Sequence, residues 1–485
     1  MGMLKSKYIL FFLLTVGLFA SCRKEEKLTR STSAKLEFSV DTVIFDTVFT
    51  TIGSATKQLK VYNRNDQKIE VSSIALVGNS QSTYRINVDG VPGNAKLIQI
   101  PAHDSIYIFI DVTVDPNNQN SPLIVTDAIV FVTNGNMQQV DLVACGQDAH
   151  FIVADTYSKS LPPYKIVAHE NEVITWANDK PYVVYGYAVI DSEGVLNIEK
   201  GCRIYFHKNS GLWCYRYGQL KVSGTLQDPV TFQGDRLEPE YRDIPGQWDR
   251  IWINESDKES CINYAIIKNG FIGLQAEVLQ EIKPETRLHI NNTVIKNMSG
   301  LGIFTRVFNI TATNTLVSNC AQQTIAITMG GNYSFRHCTF SNYWSYDQQR
   351  QTPSLLLNNY NSAQDIPLDS AYFGNCIIYG DQTNEMSLDK KDGSVFNFKF
   401  DHCLIKIDST ANTDDLNYFP SIIKNQDPLF NNPKNSDVHL RSGSPAIDAG
   451  ILSITKLCCP YNPLNTDIEG NVFVNTPDMG AFESN

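Results

Sequence analysis

Alternation of apolar and polar positions dominates the first third of the chain. "SIYIFIDVTVDP", from Ser105, places an apolar residue at every second position from Ile106 to Val114. "TKQLKVYNRNDQKIEVSSIAL", from Thr56, alternates on both sides of the polar turn "NRNDQ". "TDAIVFVTNGNMQQVDLVACG", from Thr126, does the same around "TNGN". A period of two marks half-buried strands, and Asn, Gly and Pro clusters between them mark turns. Several such strands within 36–149 predict a small β-sandwich. A connector is expected over 150–165, carrying "LPPY". A second domain is expected over 166–485.

That second domain is a train of short strands. "GVLNIEKGCRIYF" and "GQLKVSGTLQDPVTF" follow one plan of Gly, apolar alternation, small turn and apolar alternation. Beyond residue 260 the plan is countable in six words: "NYAIIKN" (263–269), "NNTVIKN" (291–297), "TNTLVSN" (313–319), "RHCTFSN" (336–342), "GNCIIYG" (374–380) and "DHCLIKI" (401–407). The third position is small: Ala265, Thr293, Thr315, Cys338, Cys376, Cys403. The fifth is apolar: Ile267, Ile295, Val317, Phe340, Ile378, Ile405. The seventh is Asn in the first four words: Asn269, Asn297, Asn319, Asn342. The word spacing is 28, 22, 23, 38 and 27 residues, which predicts a β-solenoid of three-stranded coils with insertions. Small residues then stack in one buried column, about 4.8 Å apart, and Asn serves at bends. A site that accepts Ala, Thr and Cys alike argues for packing of the cysteines over metal or disulfide chemistry. Alternation directs His337 and His402 away from that column, to the surface.

Composition sharpens this picture. The 485 residues carry a formal charge of −11, which disfavours a nucleic-acid partner. Only 19% of residues are charged, while 22 Tyr and 24 Phe suit an all-β protein. The N-terminus has Lys5 and Lys7, then an apolar run from Tyr8 to Ala20, too short for a comfortable transmembrane helix. Of eleven cysteines, none forms a CxxC pair or a zinc-type Cys/His spacing. No metal or cofactor is implied. Cys458 and Cys459 are adjacent, and their pairing stays open.

Three resemblances add to these readings. "LFASC" resembles a bacterial lipobox, which implies a signal peptide over 1–21, lipidation of Cys22, a tether over 22–35 and attachment to the outer membrane. "RKEEK" after it resembles the surface-export signals of Bacteroides-like bacteria. "YNRNDQKIEVSSIALVG", "IPAHDSIYIFIDVTVDP" and "VTNGNMQQVDLVACG" resemble the immunoglobulin-like domains of the Hydin type, which serve as spacers or adhesive modules. "DPLFNNPKNSDVHLRSGSPAIDAG" (427–450) and "DIEGN…PDMGAFE" (467–483) resemble the ending of bacterial right-handed parallel β-helix proteins of the pectate-lyase-like group. The fold class expected is therefore all-β: an immunoglobulin-like β-sandwich followed by a right-handed single-stranded parallel β-helix with a C-terminal cap. That group includes lyases, hydrolases, adhesins and inert stalks, so the resemblance specifies fold more than activity.

Candidate chemistry is sparse. No paired-Asp word of the kind a β-helix hydrolase uses is present. Asp448 and Asp478 sit in Gly-bearing turn words and are expected to fix the last coils. Arg306, Lys268 and Lys296 are candidate bases, but the two lysines share one repeat position, as a solvated face would. No Ser-His-Asp set assembles. The stronger signal is aromatic. In "GLWCYRYGQLKV", Leu212 and Cys214 are expected inward, which sends Trp213, Tyr215 and Tyr217 outward. In "QWDRIWIN", Trp252 is expected outward between Ile251 and Ile253. Trp344 and Tyr346, in an insertion, are a candidate lip. Such rings suit stacking on sugars or docking of protein, and equally suit packing beneath a loop. The leading expectation is a non-enzymatic surface lipoprotein, monomeric, that binds a polysaccharide or a surface protein. The alternatives are a polysaccharide lyase or glycoside hydrolase, and a structural stalk.

Overall fold

The computed structural model describes residues 27–50, 53–115, 123–279, 287–361, 365–456 and 464–484. Cys22, Cys458 and Cys459 lie outside the described residues. The chain forms two compact units, 1–148 and 149–485, and both are built of strands.

The first unit is an immunoglobulin-like sandwich of two five-stranded sheets. One sheet runs Glu37–Phe38, Lys57–Tyr62, Ser105–Val112, Tyr84–Val88, Val91–Pro92. The other runs Thr42–Phe49, Asn136–Gln147, Leu123–Thr133, Ile69–Leu76, Ala95–Ile100. Alternation sends Leu59, Val61, Ile106, Ile108 and Ile110 of one sheet against Ile129, Phe131, Val140 and Leu142 of the other. Burying one face of each sheet is what fixes this register.

The second unit is a parallel β-helix. Twenty-five strands, from His150–Val153 to Ile423–Lys424, make one continuous sheet in which each strand pairs in parallel mainly with the strand three further on. Each coil thus has three sides. The ladder takes in His150–Val153 and Tyr164–Ala168, so most strand-forming residues of the expected connector already belong to the first coil.

The six words lie in register. Ile266 faces Val294, Thr293 faces Thr315, Leu316 faces Thr339, Thr339 faces Ile377, and Ile377 faces Leu404. Ala265, Thr293, Thr315, Cys338, Cys376 and Cys403 therefore form one column, all buried. The column shares more than small size. Thr293 and Thr315 donate their hydroxyls to the carbonyls of Asn291 and Thr313, at 2.9 and 3.0 Å. Cys338, Cys376 and Cys403 donate their thiols to the carbonyls of Arg336, Gly374 and Asp401, at 3.3, 3.3 and 3.5 Å. In every case the acceptor lies two residues back, across a bend. The residue at the bend is left-handed each time: Tyr264, Asn292, Asn314, His337, Asn375 and His402 have φ from 44° to 50°. Asn and His tolerate this region better than most side chains. Asn269, Asn297 and Asn319, at the seventh position, are left-handed too.

His337 corrects the surface expectation. It is fully buried, bonded through Nε2 to Thr455 at 2.8 Å and to the Asn375 amide at 3.0 Å, with Phe473 against its ring. Burial pushes its imidazole down to about 3, so it is neutral. The cause is the C-terminal segment. After Ile423–Lys424 the described chain adds no coil. It packs Phe430, Val438, Ala446, Ile468, Met479 and Ala481 over the outward residues Leu316, Ile377 and Leu404. Asn314 donates to the Thr466 carbonyl and the Gly480 amide to the Asn375 carbonyl, at 2.7 and 2.8 Å. Asp478 accepts from the amides of Asp448 and Ser484, so it fixes this covering segment rather than a last coil.

Candidate aromatic face

A second side of the coils is built by Tyr187–Ile190, Gly211–Cys214, Trp248–Asn254, Gly270–Glu277 and the start of Ile303–Cys320. Leu212, Cys214, Ile251 and Ile253 enter the core, as alternation requires. One outward row runs Val189, Trp213, Trp252, Gln275, Phe304. The next runs Asn254, Glu277, Arg306, Thr328.

Trp213 and Trp252 stack face to face, with centroids 4.5 Å apart and 9° between planes. Tyr187 and Tyr215 meet Trp213 edge-on, at 80° and 89°. Such mixed stacked and edge contacts suit the ring quadrupoles. Trp213 is covered by this cluster, retaining 5% of its surface, and its indole N–H is held by Asn254 at 2.7 Å. Trp252, Tyr215 and Tyr217 stay half-buried. Gly211 makes room for the group, since a Cβ there would lie 2.8 Å from the Tyr187 ring.

Polar groups border the rings. Tyr187 donates its hydroxyl to Asp249, and Asp249 pairs with Arg250 at 2.9 Å. Arg250 reaches Gln275, Gln275 donates to Glu277 at 2.5 Å, and Glu277 pairs with Arg306. At the edge, Arg216 holds Glu255 at 2.6 Å. Burial pushes the Glu255 carboxyl up, but the Leu279 amide and Arg216 outweigh it and hold it below the usual range. Burial and the Asp249 charge push the Tyr187 hydroxyl up. Each of these three carboxylates faces a guanidinium.

The structure brings Trp213, Tyr215 and Trp252 together, with Tyr217 beside them over Arg216. Trp344 and Tyr346 do not join them. They sit in the segment entering this side from the thiol-bearing strands. Trp344 is buried, while Tyr346 is exposed and donates to the Asp243 carbonyl. Trp248 faces inward, stacked on Phe206. The sequence reading missed Tyr187, Asp249, Asn254, Gln275 and Glu277. Alternation in "GYAVI", "RIWIN" and "GLQAE" carried the signal for Tyr187, Asn254, Gln275 and Glu277, whereas a register shift between Arg250 and Ile251 puts Asp249 out of phase with Ile251 and Ile253, so alternation alone would have turned it inward. Among the described residues, no group of three or more His, Cys, Asp or Glu could hold a metal, and no helix is long and apolar enough to cross a membrane.

Fold and face together define a parallel β-helix protein that carries an immunoglobulin-like sandwich at its N-terminal side. No protein-family model and no curated protein matches the chain. Solved structures give faint similarities. A family 123 glycoside hydrolase from Clostridium perfringens is 10% identical over 23% of this chain and 26% of its own, at a TM-score of 0.18. This chain thus spans about a quarter of that enzyme's length. The PapD-like domain 7 of human CEP192 is 11% identical over 27% of this chain and 94% of its own, at 0.17. The catalytic unit of a GH87 alpha-1,3-glucanase from Streptomyces thermodiastaticus is 10% identical over 76% of this chain and 89% of its own, at 0.24. These scores are too low to carry functional inference.

Proposed function

We propose that the protein is a non-enzymatic, surface-exposed lipoprotein, anchored through Cys22, that binds a polysaccharide on the aromatic face of its β-helix. The observation that carries this reading is the Trp213–Trp252 stack. A rigid ladder holds one indole in place so that the other, with Tyr215 and Tyr217, presents a partly open edge beside ion-paired and amide side chains. Preorganised rings bordered by hydrogen-bonding groups suit a sugar, which has apolar faces and polar rims. Leu28 and Ala34 already pack on the sandwich, which serves as a spacer module. A surface protein is the alternative ligand.

Affinity electrophoresis of the whole protein through gels containing neutral and acidic polysaccharides tests the proposal. At least one should retard it, and Trp252→Ala should abolish that retardation. Free migration through the whole panel overturns it. A second reading, lyase or hydrolase, is favoured by the outward Asp249, Glu277 and Arg306. New reducing ends or unsaturated products on prolonged incubation would establish it. The pairing of each carboxylate with an arginine weighs against it, because a carboxylate held by a guanidinium is not free to meet a substrate.

A further inference from the structure

The cations around the open edge of the aromatic face are all matched. Arg216 pairs with Glu255 at 2.6 Å, Lys258 with Glu193 at 2.7 Å and Arg250 with Asp249 at 2.9 Å, and Arg306 pairs with Glu277. These pairs are built into the edge where Tyr215 and Tyr217 stand. The Tyr217 amide bonds the Glu255 carbonyl at 2.8 Å, and the Tyr217 carbonyl accepts from the Glu193 amide at 3.2 Å. The Arg216 guanidinium lies 5.2 Å from the Tyr217 ring centroid. Two carboxylates remain. Asp191 lies one coil before Tyr215, whose amide bonds the Ile190 carbonyl at 2.9 Å, and it turns back on the Ser192 amide at 2.8 Å. Asp257 is exposed in the loop between Glu255 and Lys258. Neither has an ion-pair partner among the described residues. The surplus charge of this edge is therefore negative.

We infer that the chain bound by this face is a neutral polysaccharide; this rests on the polysaccharide reading of the face and adds the class of the polymer. A polyuronate or a sulfated chain gains a guanidinium here only by displacing Glu255, Asp249 or Glu277, and it leaves that carboxylate without its partner. It also lies beside Asp191 and Asp257, where like charges repel. An uncharged chain meets neither cost. Its sugar faces lie against Trp252 and Tyr215. Its hydroxyls meet the Tyr217 hydroxyl and the exposed part of the Arg306 guanidinium, which has more N–H donors than one carboxylate can take. A polycation finds only Asp191 and Asp257, at the rim, where salt screens them.

The test is affinity electrophoresis of the whole protein in two sets of gels, one of neutral glucan, mannan and xylan and one of polygalacturonate, alginate and dextran sulfate. Retardation is expected in a neutral gel and not in the acidic ones. It should persist at high salt, because it rests on no charge that salt can screen. Trp252→Ala should abolish it. Tyr215→Ala, with a circular dichroism spectrum like the parent's, should lower the affinity about tenfold, the weight of one stacked ring. Retardation in the acidic gels alone, or equal retardation in both sets, would overturn the inference and leave the polysaccharide reading standing. Neutral binding that salt abolishes, or that both variants keep in full, would also overturn it. Free migration through every gel would remove the polysaccharide reading and the inference with it.

Discussion

The indole of Trp252 lies parallel to that of Trp213, its direct partner on the preceding coil. Trp213 is covered and has its N–H bonded to Asn254, whereas Trp252 stays half-buried. Their substitutions should therefore separate. Trp213→Ala removes a packed ring and strips Asn254 of its donor, costing about 3–5 kcal/mol. Trp252→Ala should cost about 1–2 kcal/mol and remove polysaccharide retention. Denaturant unfolding followed by circular dichroism, beside gel retention, checks both. Equal stability losses would assign Trp252 to packing alone.

The thiol column makes a chemical prediction. Burial pushes Cys338 and Cys376 well above the ordinary thiol range, and Cys214 and Cys320 up to about 12. A thiol without water or thiolate character does not alkylate. Native protein treated with iodoacetamide should yield unlabelled peptides for Cys214, Cys320, Cys338, Cys376 and Cys403 and label half-buried Cys145 and Cys261 first. Full labelling before unfolding would contradict the stacked column.

Period-two alternation made both units legible, because burying one side of a strand writes itself directly into the sequence. The small third position was legible for the same reason, since Ala265 through Cys403 meet one steric limit. The i−2 hydrogen bond of the Thr and Cys side chains was not. It depends on a left-handed bend at the second position of each word, and although five of its six occupants are Asn or His, side-chain type alone does not specify that backbone angle. His337 was misplaced because alternation says which side of a strand a residue takes, not whether a distant segment covers that side. The turn words around Asp448 and Asp478 show the same gap. They mark the carboxylate of Asp478 as structural, but its bonds to the Asp448 and Ser484 amides belong to the covering segment and not to a coil. On the aromatic face, outward Trp213 was readable, but its cover by Tyr187 and Trp252 came from neighbouring coils whose register no single word contains.

Arg350 gives a test of the insertion that leads into the aromatic face. Its side chain is fully buried and meets Glu385 at 2.6 and 2.8 Å, Asp381 at 2.5 Å and the Asn342 carbonyl at 2.9 Å. Removing one member of a buried pair leaves an uncompensated charge, so Arg350→Ala should cost about 3–5 kcal/mol. Glu385 also accepts from the Ser354 and Gln382 amides, which ties the loss to both flanking loops. Limited proteolysis should cut the variant near 343–354 under conditions that leave the parent whole. An uncut variant with parental stability would show that the network is dispensable.

Glu483 predicts a pH dependence in the covering segment. Burial, then the charges of Asp478, Asp467 and Asp448, push its carboxyl up to about 7, although the Asp478 amide donates to it. An unfolded glutamate loses its proton near about 4.3. Between those values the folded segment holds a proton that the unfolded chain has released, so this group's contribution is complete below about 4.5 and fades as pH rises through about 7. Glu483→Gln keeps the acceptor and removes the charge. It should match the parent near pH ~4 and exceed it near pH ~8, by about 2 kcal/mol or more. Hydrogen exchange of the peptide 464–484, corrected for intrinsic pH effects, reads this locally. Protection that falls equally in parent and variant between those pH values would remove Glu483 as the cause.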